Sequence, residues 1–223
     1  MQLQRFIRDF VFGMEDGLVS NLGLVLGVYV GGGSQFAILL AGLASMFAGA
    51  FSMSAGTYLS AKSQREVYDH EIEHAKRSLK NNPKKYLKEM RKILRLEGFS
   101  KQEISILIKH FEHHNPTTFV TNYIQKKVGI TKEKLDAPLR NAGVMFLSFL
   151  LGSAFPVLPF LLNSTSTAAK IAISLTILAL FGVGVAKTKF THRSKFKSGF
   201  EIAAVGIGAG VIGYLVGLIL SWI

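Results

Sequence analysis

The chain has 223 residues, 49% of them hydrophobic, a mean hydropathy of +0.32, and 26 Lys+Arg against 14 Asp+Glu, for a formal net charge of +12 at pH 7. Its apolar residues lie in long unbroken runs with the charges between them, unlike the periodic patterns of a soluble domain, so the class is integral membrane. The absence of cysteine excludes disulfides, thiolate zinc sites, iron–sulfur clusters and cysteine nucleophiles, and leaves oxygen, nitrogen or thioether to hold any metal.

A bilayer core needs about 20 mostly apolar residues per helix. Five segments qualify: residues 10–30, 36–60, 139–162, 168–186 and 199–222. The first is too long for a cleavable signal peptide, carries Glu15 and Asp16, and is followed closely by a second span, so it is expected to stay in the protein. Connections 31–35 and 163–167 carry no charge. The other two are basic: residues 61–138 hold 17 Lys+Arg and 10 Asp+Glu, net +7, and residues 187–198 hold Lys187, Lys189, Arg193, Lys195 and Lys197 with no acid. The positive-inside rule places both basic connections and the amino terminus, with Arg5 and Arg8, in the cytosol and the carboxyl terminus outside. Orientation and attraction to anionic lipid account for the net charge, so membrane lipid, and no nucleic acid, is the expected partner.

In span one, ionisable residues stand out because charge in hydrocarbon is expensive and by default functional. At a rise of 1.5 Å per residue, Asp16 lies roughly 9 Å below the cytosolic edge, with Glu15 beside it and no Lys or Arg near it in sequence. Met53 in span two lies roughly 10 Å deep by the same rise. A hard carboxylate and a soft thioether at one level suit a borderline divalent ion such as Fe²⁺ better than Mg²⁺ or Ca²⁺. Core filling is the alternative reading of Met53. Asp16, able to exchange a proton for a cation, is the leading transport residue, and Glu15 can share the role.

Small residues recur at close helical spacing: Gly23, Gly27 and Gly31 in span one, Ala44 and Ala48 in span two, and Gly206, Gly210, Gly213 and Gly217 in span five. Such ridges let helices approach closely in lipid, within one chain in preference to between two copies.

Residues 61–138 are too many for a simple connection and read as a cytosolic domain of three to four helices. Apolar stripes at Tyr68, Ile72, Ala75 and Leu79, at Leu87, Met90 and Leu94, and at Ile104, Leu107, Ile108 and Phe111 mark three helices. Asn82-Pro83 separates the first two, Gly98 closes the second, and Ser100 with Glu103 forms a capping box for the third, which ends at Asn115-Pro116. Phe119, Tyr123, Ile124 and Val128 supply a short fourth. The first of these helices carries His70-Glu71-Ile72-Glu73-His74, which fits the HExxH zincin pattern. At 100° per residue the two histidines lie opposite the apolar stripe, beside Glu66, Glu73 and Arg77. A solvated polar face, a metal-capture site and a protease site all remain open; a protease would need a third ligand, for which His110, His113 and His114 have no recommending spacing.

The run Asp16-Gly17-Leu18-Val19-Ser20, then Gly27-Val28, Ala48-Gly49-Ala50-Phe51-Ser52-Met53, Gly56, Tyr58-Leu59-Ser60 and Lys62-Ser63-Gln64-Arg65-Glu66 resembles the first two spans of the vacuolar iron transporter family, which includes the nodulin-21-like proteins. The likeness continues through Pro138, Ala142, Ser148-Phe149, Gly152, Pro156-Val157-Leu158-Pro159-Phe160, Arg193-Ser194, Gly199, Glu201, Gly206, Tyr214 and Gly217. The resemblance implies a homodimeric five-helix transporter that exports Fe²⁺, sometimes Mn²⁺ or other divalents, from the cytosol in exchange for protons, with Asp16 and Met53 lining the path. It also implies a cytosolic domain that gathers metal with glutamates and a methionine pair. Here the match departs. Ala75 and Ser78 stand where family glutamates fall, Glu71 and Glu89 occupy acidic positions, the methionine pair and its glutamate fall near Tyr123, Ile124 and Lys127, and Thr57 replaces an acid in span two. Capture of the family type is therefore expected to be weakened, with His70, His74 and the histidines near 113 as substitutes, or with the domain serving dimerisation and gating.

The expected protein is thus an all-α integral membrane protein: spans one and two in residues 1–60, a cytosolic helical domain in 61–138, and spans three to five in 139–223. Its expected activity is proton-coupled transport of Fe²⁺ or Mn²⁺, as substrate and with no tightly bound cofactor. A membrane metalloprotease built on His70, Glu71 and His74, and a transport-deficient scaffold or metal sensor, are the competing readings. The lack of an amino-terminal extension favours a prokaryotic cell membrane over a vacuolar one.

Overall fold

The computed structural model describes residues 2–114, 137–162, 164–191 and 193–222. Among them the secondary structure is entirely helical: α1 (Gln2–Val30), α2 (Gln35–Asn81), α3 (Pro83–Leu96), α4 (Lys101–His114), α5 (Pro138–Val157), α6 (Pro159–Leu162), α7 (Thr165–Thr191) and α8 (Lys195–Leu220). Helices α1, α2, α5, α7 and α8 are long and apolar enough to cross a membrane, the pattern of a multi-pass membrane protein, because in lipid a helix satisfies its own backbone groups. The chain divides into two compact units, one of Met1–Leu59 with Ala137–Ile223 and one of Ser60–Asp136.

Two expected boundaries are corrected. The helix of span two does not stop at residue 60; α2 continues to Asn81, so span two and the first helix of the insert are one element. No Gly or Pro interrupts residues 57–81, and the pairs Lys62–Glu66 (3.7 Å), Arg65–Asp69 (3.9 Å) and Glu73–Arg77 (3.3 Å) bridge successive turns. The helix stops where Asn82, ahead of Pro83, leaves the helical region at φ −147° and ψ 70°. Span three ends at Val157 instead of residue 162. Pro159 has no N–H to offer the carbonyl one turn back, and the chain restarts as the single turn α6.

In the membrane-spanning unit, α1 packs against α5, α7 and α8, and α7 packs in turn against α5, α6 and α8. The buried stripe of α1 is Met14, Leu18, Leu22, Val25 and Leu26, with Gly13, Gly17 and Asn21 on the same side. Leu22, Val25 and Leu26 join Ile38, Val157, Phe160 and Ala172 in one apolar cluster; Met14 and Leu18 join Leu180, Val183 and Ile202 in another. The glycine ridges of α1 and α8 meet within the chain. A Cβ at Gly27 would stand 3.1 Å from the Gly213 carbonyl oxygen, and one at Gly213 would collide with that of Gly23. Ala44 and Ala48 of α2 are exposed. Helix α1 ends in a Schellman turn: Gly32 takes φ +83°, and the Gly33 N–H reaches the Val28 carbonyl at 2.9 Å.

The second unit has its own core of Tyr68, Ala75, Met90, Leu94, Ile104 and Ile108 from α2, α3 and α4, the stripes the periodicity marks. Gly98 at φ +92° closes α3, with the Phe99 N–H on the Leu94 carbonyl at 3.1 Å. The capping box of α4 forms: the Ser100 N–H donates to Glu103 Oε2 (2.8 Å) and the Glu103 N–H to Ser100 Oγ (3.3 Å). The expected fourth helix, with Tyr123, Ile124 and Lys127, lies outside the described residues.

Candidate ion site in the membrane-spanning unit

Asp16 sits at the margin of the buried stripe of α1 and is half-buried. Its backbone carbonyl accepts the Ser20 hydroxyl at 2.5 Å. Among the described residues no ion pair engages its carboxylate. Glu15, one residue earlier, has different company. It lines a cavity of about 380 Å³ with Arg8, Lys187 and Thr191 and the apolar Ile7, Val11, Phe12 and Phe190. The charges acting on it are Lys187 from α7, then Asp16 and Glu201. The fold therefore separates the leading carboxylate from its neighbour: Glu15 shares a cavity wall with Lys187 and Arg8, and Asp16 is not part of that wall.

Met53 is half-buried on α2, its carbonyl accepting the Thr57 hydroxyl at 2.8 Å. Phe149 of α5 relates the two helices: a Cβ at Gly17 would lie 2.5 Å from its carbonyl oxygen, and one at Gly49 would lie 2.5 Å from its ring. Asp16 adjoins Gly17, and Met53 follows Gly49 by one turn on α2, so both residues lie on helices that pack against Phe149.

Three further polar residues of the bundle carry no mark in the sequence reading. Asp9 is 3% exposed, and its Oδ1 is held by Arg8 at 2.8 Å while its Oδ2 has no hydrogen-bond partner among the described residues. Asn21 and Ser153 are fully buried, and the Asn21 amide donates to Ser153 Oγ at 2.8 Å, tying α1 to α5. The rule that singles out Asp16, a polar side chain in an apolar run, applies equally to Asn21. Ser153 looks like any small residue until its partner is known.

The candidate capture residues sit in the second unit. Glu66, His70 and His74 are exposed on α2, and Glu71 and Glu89 are half-buried on α2 and α3. The imidazole centroids of His70 and His74 are 6.5 Å apart. Glu73 is paired with Arg77 and Glu66 with Lys62. Among the described residues no three His, Asp or Glu side chains converge as a metal site.

The sequence model of the VIT family matches residues 7–218. "Vacuolar iron transporter 1" of Arabidopsis thaliana is 30% identical over 201 residues, 90% of this chain and 80% of that protein. "Protein CCC1" of Saccharomyces cerevisiae is 30% identical over 226 residues, 96% of this chain and 69% of its own. "Vacuolar iron transporter" of Plasmodium falciparum is 22% identical over 225 residues, 96% of this chain and 82% of its own. With a match that runs through all five candidate spans, the chain belongs to the VIT family, the vacuolar iron transporters.

Proposed function

We propose that this protein is a divalent-metal transporter that moves Fe²⁺, and also Mn²⁺, out of the cytosol in exchange for protons. The observation that carries the reading is Asp16: a half-buried carboxylate on a spanning helix, with no ion pair on it among the described residues. An uncompensated charge costs about 2.5–3.5 kcal/mol on insertion scales at the centre of a span, and less nearer the edge where Asp16 lies. A proton or a divalent ion removes that cost, and competition between the two for one carboxylate is the elementary step of antiport. Met53 supplies a thioether that favours Fe²⁺ over the hard ions. Glu15, with Lys187 near it, attracts and hands on the ion instead of holding it.

The same reading places both basic connections and the amino terminus in the cytosol, makes residues 61–138 a cytosolic domain, and pairs two copies as a homodimer. The exposed side of α2 carries the small residues Ala44, Ala48, Ser52 and Gly56, which would let a second copy approach closely. The iron carried by the relatives named above supports the choice of cargo. The test is metal-dependent quenching in proteoliposomes under a pH gradient, run over Fe²⁺, Mn²⁺, Zn²⁺ and Mg²⁺. Wild-type protein should transport Fe²⁺ and Mn²⁺ and collapse the gradient, and Asp16→Asn should abolish both signals; undiminished flux in that variant removes Asp16 from the mechanism.

A further inference from the structure

We infer that His70 and His74 form a bidentate site for a late transition-metal ion of the Zn²⁺, Ni²⁺ or Cu²⁺ class on the solvent face of α2. The pair is one turn apart on an unbroken helix, so both rings leave the same face. Their centroids are 6.5 Å apart and their planes differ by 21°. A tetrahedral ion 2.0–2.1 Å from one nitrogen of each ring requires centroids about 5 Å apart. The rings stand stacked, and an ion must lie in the plane of each ring it binds, so chelation takes rotation of both exposed side chains about χ1 and χ2 on an unchanged helix. The face is free for this because the core residues Tyr68 and Ala75 lie on the other side of the helix.

The surrounding charges leave the pair as the donor set. Glu73 is paired with Arg77 at 3.3 Å, and Glu66, one turn before His70, is paired with Lys62 at 3.7 Å. Water fills the remaining coordination positions. Two neutral imidazoles without a converging carboxylate select along the Irving–Williams order, Cu²⁺ and then Zn²⁺ and Ni²⁺, well ahead of Fe²⁺ and Mn²⁺, and give Mg²⁺ nothing it prefers. The metals favoured here thus differ from those assigned to Asp16, and the site stands independently of transport.

The test is Zn²⁺ titration of the full-length protein in detergent against a fluorescent chelator, with Asp16→Asn and His70→Ala/His74→Ala run alongside. One Zn²⁺ equivalent should survive in Asp16→Asn and vanish in the double histidine variant. Each single histidine variant should weaken that equivalent by at least about tenfold, since even an outer-shell partner is worth that much. Equimolar Mn²⁺ should not displace it. Both side chains are exposed, so helix content by circular dichroism should be unchanged, and Glu73→Gln should bind as wild type. Unaltered Zn²⁺ stoichiometry and affinity in the double variant would overturn the site. A protein that binds Zn²⁺ here yet carries no flux would refute the transport reading alone.

Discussion

Lys187 and Glu15 are separated by 172 positions in the chain and meet across α1 and α7 in the wall of one cavity. Replacing the lysine removes the cation among the charges that act on Glu15 and leaves Asp16 and Glu201, both of its own sign, among the described residues, with Arg8 still in the cavity wall. Lys187→Gln should therefore lower the thermal stability of the purified protein by about 1 kcal/mol, the scale of a partly solvated pair. Adding Glu15→Gln should restore most of it, which a double-mutant cycle reads directly. Strictly additive losses would show that the two side chains do not interact. Asp16 was legible from sequence because a carboxylate in an apolar run breaks the rule for its surroundings. The lysine that distinguishes Glu15 from it was not, because periodicity along one helix says nothing about which face of a distant helix will come alongside. Asn21 could have been found by the same rule; its bond to Ser153 could not.

Helix ends and helix contacts obey different physics, and the two yield separate predictions. At the start of α4, the Ser100 hydroxyl and then its backbone N–H hold the Glu103 carboxyl below its ordinary value. A group whose value is depressed on folding contributes fully above the unfolded carboxylate range and loses that contribution as pH falls through the folded value. Amide protection factors in the first turn of α4, that is exchange rates corrected for the intrinsic rate at each pH, should therefore fall on acidification, and Glu103→Gln should remove that pH dependence. Between α1 and α8 the contact is backbone on backbone, so Gly213→Ala should destabilise the protein by about 1–3 kcal/mol as an overpacked site. Gly208, with nothing within 4 Å of where its Cβ would go, should gain roughly 0.5–1 kcal/mol from the same change. Melting curves that rank the two the other way would contradict the packing described. The caps and stripes were readable in advance because they are local. The continuity of α2 past residue 60 was not, since a change of composition from apolar to charged alters what surrounds a helix without ending it.

The absence of cysteine makes the topology of the whole chain directly measurable. An impermeant thiol reagent applied from outside should label Ser166→Cys and spare Ser194→Cys, both exposed positions; the reverse pattern would invert the orientation. The five spans were legible because hydrocarbon imposes a minimum length on apolar runs, whereas the arrangement of those spans depends on which small residues find each other. That arrangement bears on how cargo could change sides. Of the most apolar stretch of α2, 17% is buried, against 44% for α1. Two rods touching through their peptide groups cannot slide without first lifting apart, so α1 and α8 behave as a single post. The second span, the least buried of the five candidates within the chain, is the side that the proposed second copy would cover, so in that assembly the carboxylate would sit on the fixed pair and a neighbour's surface would close around it.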